Sequence, residues 1–277
     1  MTEKTLLSHA RLLSEEAGVR TYAVRSGGKR LLLRLSGEET YEARRFEFVW
    51  AESLSDGGVP VPRPLEFGFM GEEVYSLSER ERGVPLSLAL RKMPLRRRKE
   101  IGIRVGDALR RMHGYPASGD AAWHIAFGRE MDRTLAALRL SSIGEDPILE
   151  KLFREEGHHL FGQSLCYLHG GLLEGVRCRA FGRIECTAPR GTHMGDPWQE
   201  LALFCFHYAS APEFALAAVR SYFQYYTPRE FWKLALLYLS VDILKGLLQA
   251  PSGGDRARAE LLRHHVVNAR KYGMILP

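Results

Sequence analysis

The chain has 277 residues, of which 45% are apolar and 26% charged, the proportions of a folded globular protein. At about 100–200 residues per domain this is one large domain or two modest ones, and disorder, collagen and a coiled-coil rod are excluded as the main state. Lys and Arg outnumber Asp and Glu by 39 to 33, a formal charge of +6. That is only mildly basic for the length. Eight of the cations are Lys and 31 are Arg, while Asn occurs once, at Asn268. This bias reads more readily as coding preference than as the mark of a polyanion partner. The cysteines, Cys166, Cys178, Cys186 and Cys205, form no C-x-x-C pair, so a zinc ribbon or thioredoxin-type site is not expected. The opening Met1-Thr2-Glu3-Lys4 lacks a signal h-region. The most apolar run, Leu234 to Leu248, is interrupted by Asp242 and Lys245, which suits a core helix rather than a membrane span. The expectation is a cytoplasmic protein with reduced thiols and no membrane partner.

In chain order, Leu6, Ala10, Leu13 and Ala17 recur at helical spacing, with Gly18 as a stop. Two extended runs, Arg20–Arg25 and Arg30–Leu35, flank Ser26-Gly27-Gly28-Lys29, a tight hairpin because Gly accepts positive φ. A helix is predicted over Glu39–Leu54, with Phe46, Val49, Trp50 and Leu54 on one face and Gly57-Gly58 at its end. Val59-Pro60-Val61-Pro62-Arg63-Pro64 is extended, since each Pro disfavours helix in its predecessor. Strands over Leu65–Phe69 and Glu73–Leu77 turn at Met70-Gly71, completing a small mixed sheet with one helix inserted.

Beyond Gly83-Val84-Pro85 the pattern turns helical. Ile101, Val105, Leu109 and Met112 stripe a helix over Leu95–His113, and weaker helices follow near Glu130–Leu140 and Pro147–Phe161. Val176–Arg179 and Arg183–Cys186 are short strands around Ala180-Phe181-Gly182. Thr227-Pro228-Arg229-Glu230 is a capping box with Pro at the first helical position, and a last helix should start after Ser252-Gly253-Gly254-Asp255. The plan is an α+β protein with an N-terminal lobe over residues 1–80 and a larger, mainly helical lobe over 81–277 that carries one hairpin. Between two such lobes a ligand cleft is expected.

Several segments together carry a family likeness. Leu31-Leu32-Leu33-Arg34-Leu35 is similar to a strand that usually ends in a phosphate-contacting Lys, and Glu47 followed by Val59-Pro60-Val61-Pro62 is similar to a helix Glu and its "VPVP". Leu77-Ser78-Glu79-Arg80-Glu81-Arg82-Gly83 looks like a hinge, and Leu109 to His113 like an L-x-x-L-H helix end. His169-Gly170-Gly171-Leu172-Leu173-Glu174-Gly175-Val176 resembles H-G-D-L-H-x-G-N, Ile184-Glu185-Cys186 resembles I-D-F, and Gly195-Asp196-Pro197 through Leu201 resembles G-D-P-x-x-[DE]-[LF]. In this order the motifs resemble the aminoglycoside phosphotransferase family over most of residues 20–248. The resemblance implies a two-lobed protein-kinase-like fold, with residues 1–80 as the nucleotide-binding lobe and the acceptor site in the larger lobe. The ligands it implies are ATP or GTP with Mg²⁺ and a small hydroxylated acceptor.

Phosphoryl transfer is mostly positioning and charge neutralisation. The resemblance makes Arg34 the phosphate cation, Glu47 its ion-pair partner, Glu79 and Glu81 hinge residues at the nucleotide, and Glu185 the metal ligand. Arg keeps the charge of Lys but spreads it over a planar fork. Glu carries one more methylene than Asp, which moves its oxygens by about 1.5 Å. The family's catalytic Asp falls on Gly171 and its metal-binding Asn on Val176, neither of which can act. The single Asn lies far away, and Asp196, the only Asp between His169 and Asp242, is expected to support the loop. Losing the base costs about 10²–10⁴-fold. A chain that keeps the frame and loses the chemistry reads as a pseudokinase acting by ligand binding. The alternative is an active ATP- or GTP-dependent small-molecule O-phosphotransferase, with Glu174 or Glu185 as base and His169 bracing the catalytic loop.

Arg91, Lys92, Arg96, Arg97, Arg98 and Lys99 put six cations in nine residues. Without interleaved aromatics they read as a solvated surface rather than a nucleic-acid platform, and no nucleic-acid partner is expected. His169, Cys178, Cys186 and His193 match no zinc spacing. Tyr222, Phe223, Tyr225 and Tyr226 are core packing or an acceptor-site wall.

Overall fold

The computed structural model describes residues 10–117, 122–141, 147–172 and 174–249. It contains two compact units, one made of the chain up to Met93 together with His169–Thr192, the other of Pro94–Leu168 and the chain from His193 onward. The helix expected after Ser252 and the sole Asn lie outside the described residues.

The first unit begins with β1 (Arg11–Glu16), β2 (Val19–Ser26) and β3 (Lys29–Gly37), followed by helix α1 (Tyr41–Asp56), β4 (Pro64–Met70) and β5 (Glu73–Glu79). The strands form one sheet in the order β1-β2-β3-β5-β4. Every pairing is antiparallel, so the sheet is not mixed. The helix expected over Leu6–Ala17 is β1 where it is described. Ala17 (φ 49°) and Gly18 (φ 74°) both sit in the left-handed region and turn β1 back onto β2, so the glycine read as a helix stop closes a hairpin. Gly27 and Gly28 make the second hairpin turn as expected, at φ 56° and 74°.

Strand β3 is central, and Leu31 to Ser36 are all buried. Alternation sends Leu31, Leu33 and Leu35 into a core with Val24 and Leu77, and therefore Leu32, Arg34 and Ser36 to the opposite face. Helix α1 buries Glu47, Trp50, Ala51 and Leu54, an i, i+3, i+4, i+7 stripe. Phe46 and Val49, expected on that face, are 38% and 49% exposed. A carboxylate takes the place of the apolar residue, for a reason given by its partners below. The Pro-rich segment after α1 is extended as expected, and its Pro60 carbonyl accepts the Cys186 N–H at 2.7 Å. The unit continues with β6 (Val84–Pro85) and the short helix α2 (Leu86–Lys92).

The second unit contains α3 (Leu95–Met112), α4 (Ala122–Leu140), α5 (Pro147–Glu156) and β7 (Cys166–Leu168). The chain then returns to the first unit for β8 (Val176–Cys178) and β9 (Ile184–Cys186), which pair with β6 in the order β6-β8-β9. The second unit resumes with β10 (His193–Gly195), paired with β7, then α6 (Pro197–His207), α7 (Pro212–Tyr222) and α8 (Arg229–Gln249). The three-residue strands β7 and β10 are too short to show a period. The Ile101, Val105, Leu109 and Met112 stripe is at most 1% exposed. Helix α8 buries Leu234, Leu237, Tyr238 and Leu244 against Phe127, Leu138, Leu152 and Phe153. Among the described residues no helix is long and apolar enough to cross a membrane.

Helices α3 and α7 approach closely because α3 carries Gly102 and Gly106. A Cβ on Gly106 would lie 2.1 Å from the Ala218 carbonyl oxygen, and one on Gly102 would lie 2.4 Å from that of Phe214. Ser221 Oγ then donates to the Ile103 carbonyl at 2.8 Å. Gly106→Ala gains helix propensity but must push backbone aside, so we expect a net loss of about 1–2 kcal/mol. Gly128→Ala on α4, where nothing lies within 4 Å, should instead gain up to about 1 kcal/mol. Urea unfolding of the two variants checks both signs.

Candidate functional site

Of the residues singled out in the first unit, Arg34, Glu47 and His169 converge on one short segment, Thr187–Gly191. Glu47 Oε1 accepts the Gly191 N–H at 2.7 Å, and Oε2 accepts Arg44 Nη1 at 2.8 Å. This is why a carboxylate belongs in the buried stripe of α1: it satisfies a backbone donor and neutralises a neighbouring cation. Arg34, 8% exposed, donates from Nη1 to the Pro189 carbonyl at 3.4 Å. Its Nε and Nη2 are buried without a hydrogen-bond partner in the protein. Burial is the main cause pulling the guanidinium down to about 10, with Arg190 and Arg44 adding to it and Glu47 and Glu81 opposing, so Arg34 stays charged at neutral pH. The direct ion pair of Glu47 is therefore with Arg44, and Arg34 feels Glu47 through space.

The same segment is gripped by the loop after β7. His169 is fully buried. Its Nε2 donates to the Thr187 carbonyl at 2.9 Å, and its Nδ1 accepts the Gly171 N–H at 3.3 Å, a pattern that requires the neutral Nε2–H tautomer. The Arg190 N–H donates to the His169 carbonyl at 3.2 Å, and the Thr187 N–H to that of Gly175 at 2.6 Å. Gly170 (φ 78°) lies so near that a Cβ would be 2.3 Å from the Arg190 carbonyl oxygen, so both its dihedral and the approach require glycine.

Gly171 is exposed. A Cβ there would meet only ordinary contacts, the nearest at 3.6 Å, so the backbone would accept a side chain. Val176 on β8 is fully buried. Glu185 on β9 has a side chain 11% exposed. One oxygen accepts the Arg82 N–H at 3.2 Å and the other is paired with Arg179 Nη1 at 3.1 Å. Burial, its largest influence, raises its pKa, while the Arg82 N–H and Arg179 oppose that rise. Glu174 is exposed on a bend. Glu79, half-buried on β5, gives its N–H to the Arg63 carbonyl at 2.9 Å, and the half-buried Glu81 lies within electrostatic reach of Arg34. No cluster of three or more His, Cys, Asp or Glu that could hold a metal occurs among the described residues.

Arg179 escaped the sequence reading because it approaches Glu185 only across the turn of the β8–β9 hairpin. Arg44, three residues before Glu47 on a helix, was legible from spacing. Of the surface cations, Arg96 and Arg97 pair with Glu100 and Arg98 with Glu213, as on a solvated face. The four cysteines are buried free thiols, and burial pushes those of Cys166 and Cys205 up.

In the second unit Asp196 caps α6. One oxygen accepts the Trp198 N–H at 2.7 Å and the other the Tyr238 hydroxyl. Nearby His113 bridges Tyr222 and Glu200, with 3.0 Å on each side, joining α3, α6 and α7. Of the aromatic run, Tyr222 is buried, and Tyr225 and Tyr226 are 72% and 83% exposed.

The model of the phosphotransferase enzyme family matches residues 9–175. No curated protein matches the chain. Among solved structures it is similar to a choline/ethanolamine kinase family protein from Mesorhizobium loti (TM-score 0.65, 17% identity, covering 97% of this chain and 90% of that one). It is also similar to the ternary complex of aminoglycoside phosphotransferase APH(2″)-IIa with streptomycin and ATP (0.64, 12%, 94% and 93%). A thermostable mutant of APH(4)-Ia, in ternary complex with AMP-PNP and hygromycin B, is a further match (0.63, 18%, 95% and 94%). At these identities the likeness is one of fold, and it agrees with the α+β, kinase-like architecture.

Burial raises Asp196 to about 6, with its Tyr238 and Trp198 hydrogen bonds and His113 opposing. The folded state therefore holds this proton more tightly than the unfolded chain. The associated stability is fully present below about pH 4 and is lost as pH rises through about 6, on the order of 3 kcal/mol in all. Asp196→Asn cannot ionise and should lack this loss. Urea titrations from pH 4 to 7 should show the variant gaining relative to wild type as pH rises.

Proposed function

We propose that this chain, which belongs to the phosphotransferase enzyme family, is a catalytically degenerate member that acts by binding a ligand rather than by transferring phosphate. The observation that carries the reading is Glu185: the carboxylate at the metal position is already neutralised by Arg179 and hydrogen-bonded to the Arg82 N–H. A divalent cation there would have to displace a guanidinium from a largely buried site. The positions beside it agree. Gly171 offers no carboxylate to take a proton from an acceptor hydroxyl. Val176 is packed in β8, where an Asn would need new hydrogen-bond partners.

On this reading His169 positions the loop, since both its nitrogens are spent on backbone, and Glu47 positions the Thr187–Gly191 segment. The nucleotide lobe is residues 1–80, with Glu79 and Glu81 at its hinge. The ligand is a small hydroxylated molecule or a nucleotide, and the solved complexes with ATP or AMP-PNP on this fold support that class. The exposed carboxylate of Glu174, three residues beyond Gly171, favours the alternative of an active O-phosphotransferase with a displaced base.

Transfer from ATP or GTP, with Mg²⁺, to a broad panel of hydroxylated acceptors should stay at background for the wild type. It should stay there for Gly171→Asp as well, because the metal position remains closed. Robust wild-type turnover that disappears in Glu185→Ala would contradict the proposal, and turnover abolished by Glu174→Gln would instead support the displaced base.

A further inference from the structure

A pocket of about 30 Å³, partly open to solvent, lies within the first unit, between the α1 face of β3, strand β5, helix α1 and the Ala188-Pro189 segment. A water needs about 10–15 Å³ of such space, so the pocket suits one halide-sized ion or a pair of waters. Its walls include Arg34 and Arg44 from two different elements and the side chains of Ser76 and Ser78. Three guanidinium nitrogens here, Arg34 Nε, Arg34 Nη2 and Arg44 Nε, are buried without a hydrogen-bond partner in the protein.

Counting Arg34 itself, the groups that act on it most strongly are three cations against two carboxylates. Arg34 is surrounded by two cations, Arg44 and Arg190, and two carboxylates, Glu47 and Glu81. Glu47 also lines the cavity, but both its oxygens are committed, one to Gly191 and one to Arg44. Arg34 is left with one long bond to a neutral carbonyl. A buried charge with donors to spare is costly unless an opposite charge meets it, and hydrogen bonds from a guanidinium to an anion are among the strong ones.

We propose that Arg34 and Arg44 bind a small inorganic monovalent anion of halide size in this cavity, with the Ser76 and Ser78 hydroxyls as additional donors. The anion would complete the charge balance under the sheet and lock β3, α1 and the Pro189 turn together. It would bind whether or not the chain turns over a substrate.

The test is thermal unfolding of the full chain in sodium gluconate, with chloride replacing gluconate at constant ionic strength. The melting temperature should rise and saturate, by roughly 5–10 °C at a hundredfold excess over the dissociation constant. Bromide should substitute for chloride, and crystals soaked in bromide should show an anomalous peak beside Arg34 Nε. The response should be absent in Arg34→Met. If that variant does not fold, Arg44→Gln should shift the midpoint to higher chloride. A melting temperature indifferent to chloride, a response that survives Arg34→Met, or bromide found only elsewhere would overturn the assignment. So would ATP abolishing the chloride response in the same assay, because the cavity would then take a phosphate instead.

Discussion

The bond from the Gly191 N–H to the Glu47 carboxylate organises the first unit. It requires an acid inside an otherwise apolar helix stripe, and it fixes where the Thr187–Gly191 segment runs. Three side-chain holds act on that segment, beside its backbone bonds to His169 and Gly175. Glu47 takes its last N–H, Arg34 reaches the Pro189 carbonyl, and His169 bonds the Thr187 carbonyl. Gly170 lets the two loops touch.

The same holds account for the chemistry. On the proposed reading the two charged groups expected at phosphate and metal are held differently. Arg34 faces a carbonyl and a small cavity, and Glu185 faces Arg179 and a backbone N–H. Both are at or below about a tenth exposed. Electrostatic catalysis depends on charges held ready for the reacting group; on the proposed reading the Glu185 carboxylate is held by Arg179 instead. The scaffold residues outside this centre do ordinary work: Asp196 starts α6, and His113 ties three helices of the second unit.

Much of this organisation was legible in the sequence where local physics acts alone. The Gly27-Gly28 hairpin, the extended Pro segment, the apolar stripe of α3 and the β8–β9 hairpin all follow from glycine dihedrals, proline sterics or helical period. Reading failed where two local explanations compete or where a distant partner decides. Gly18 fits a helix stop and a hairpin turn equally well, and the pairing of β1 with β2 chooses. The face of α1 is set by a backbone donor 144 residues away in sequence, which no periodicity reports. At the site, Gly171 and Val176, where the resemblance expects an Asp and an Asn, were visible as residue types. The closure of Glu185 by Arg179 was not, because it depends on how a three-residue turn aims two side chains.

The central claim is that the carboxylate at the metal position, Glu185, is already engaged by Arg179 and the Arg82 N–H. Calorimetric titration with ATP and with GTP, each in the presence and absence of Mg²⁺, tests it most directly. The account predicts either no binding or binding whose affinity is indifferent to Mg²⁺. Nucleotide binding that requires Mg²⁺ and is lost in Glu185→Ala would contradict it, since that result needs the Glu185 carboxylate to leave Arg179 for the metal.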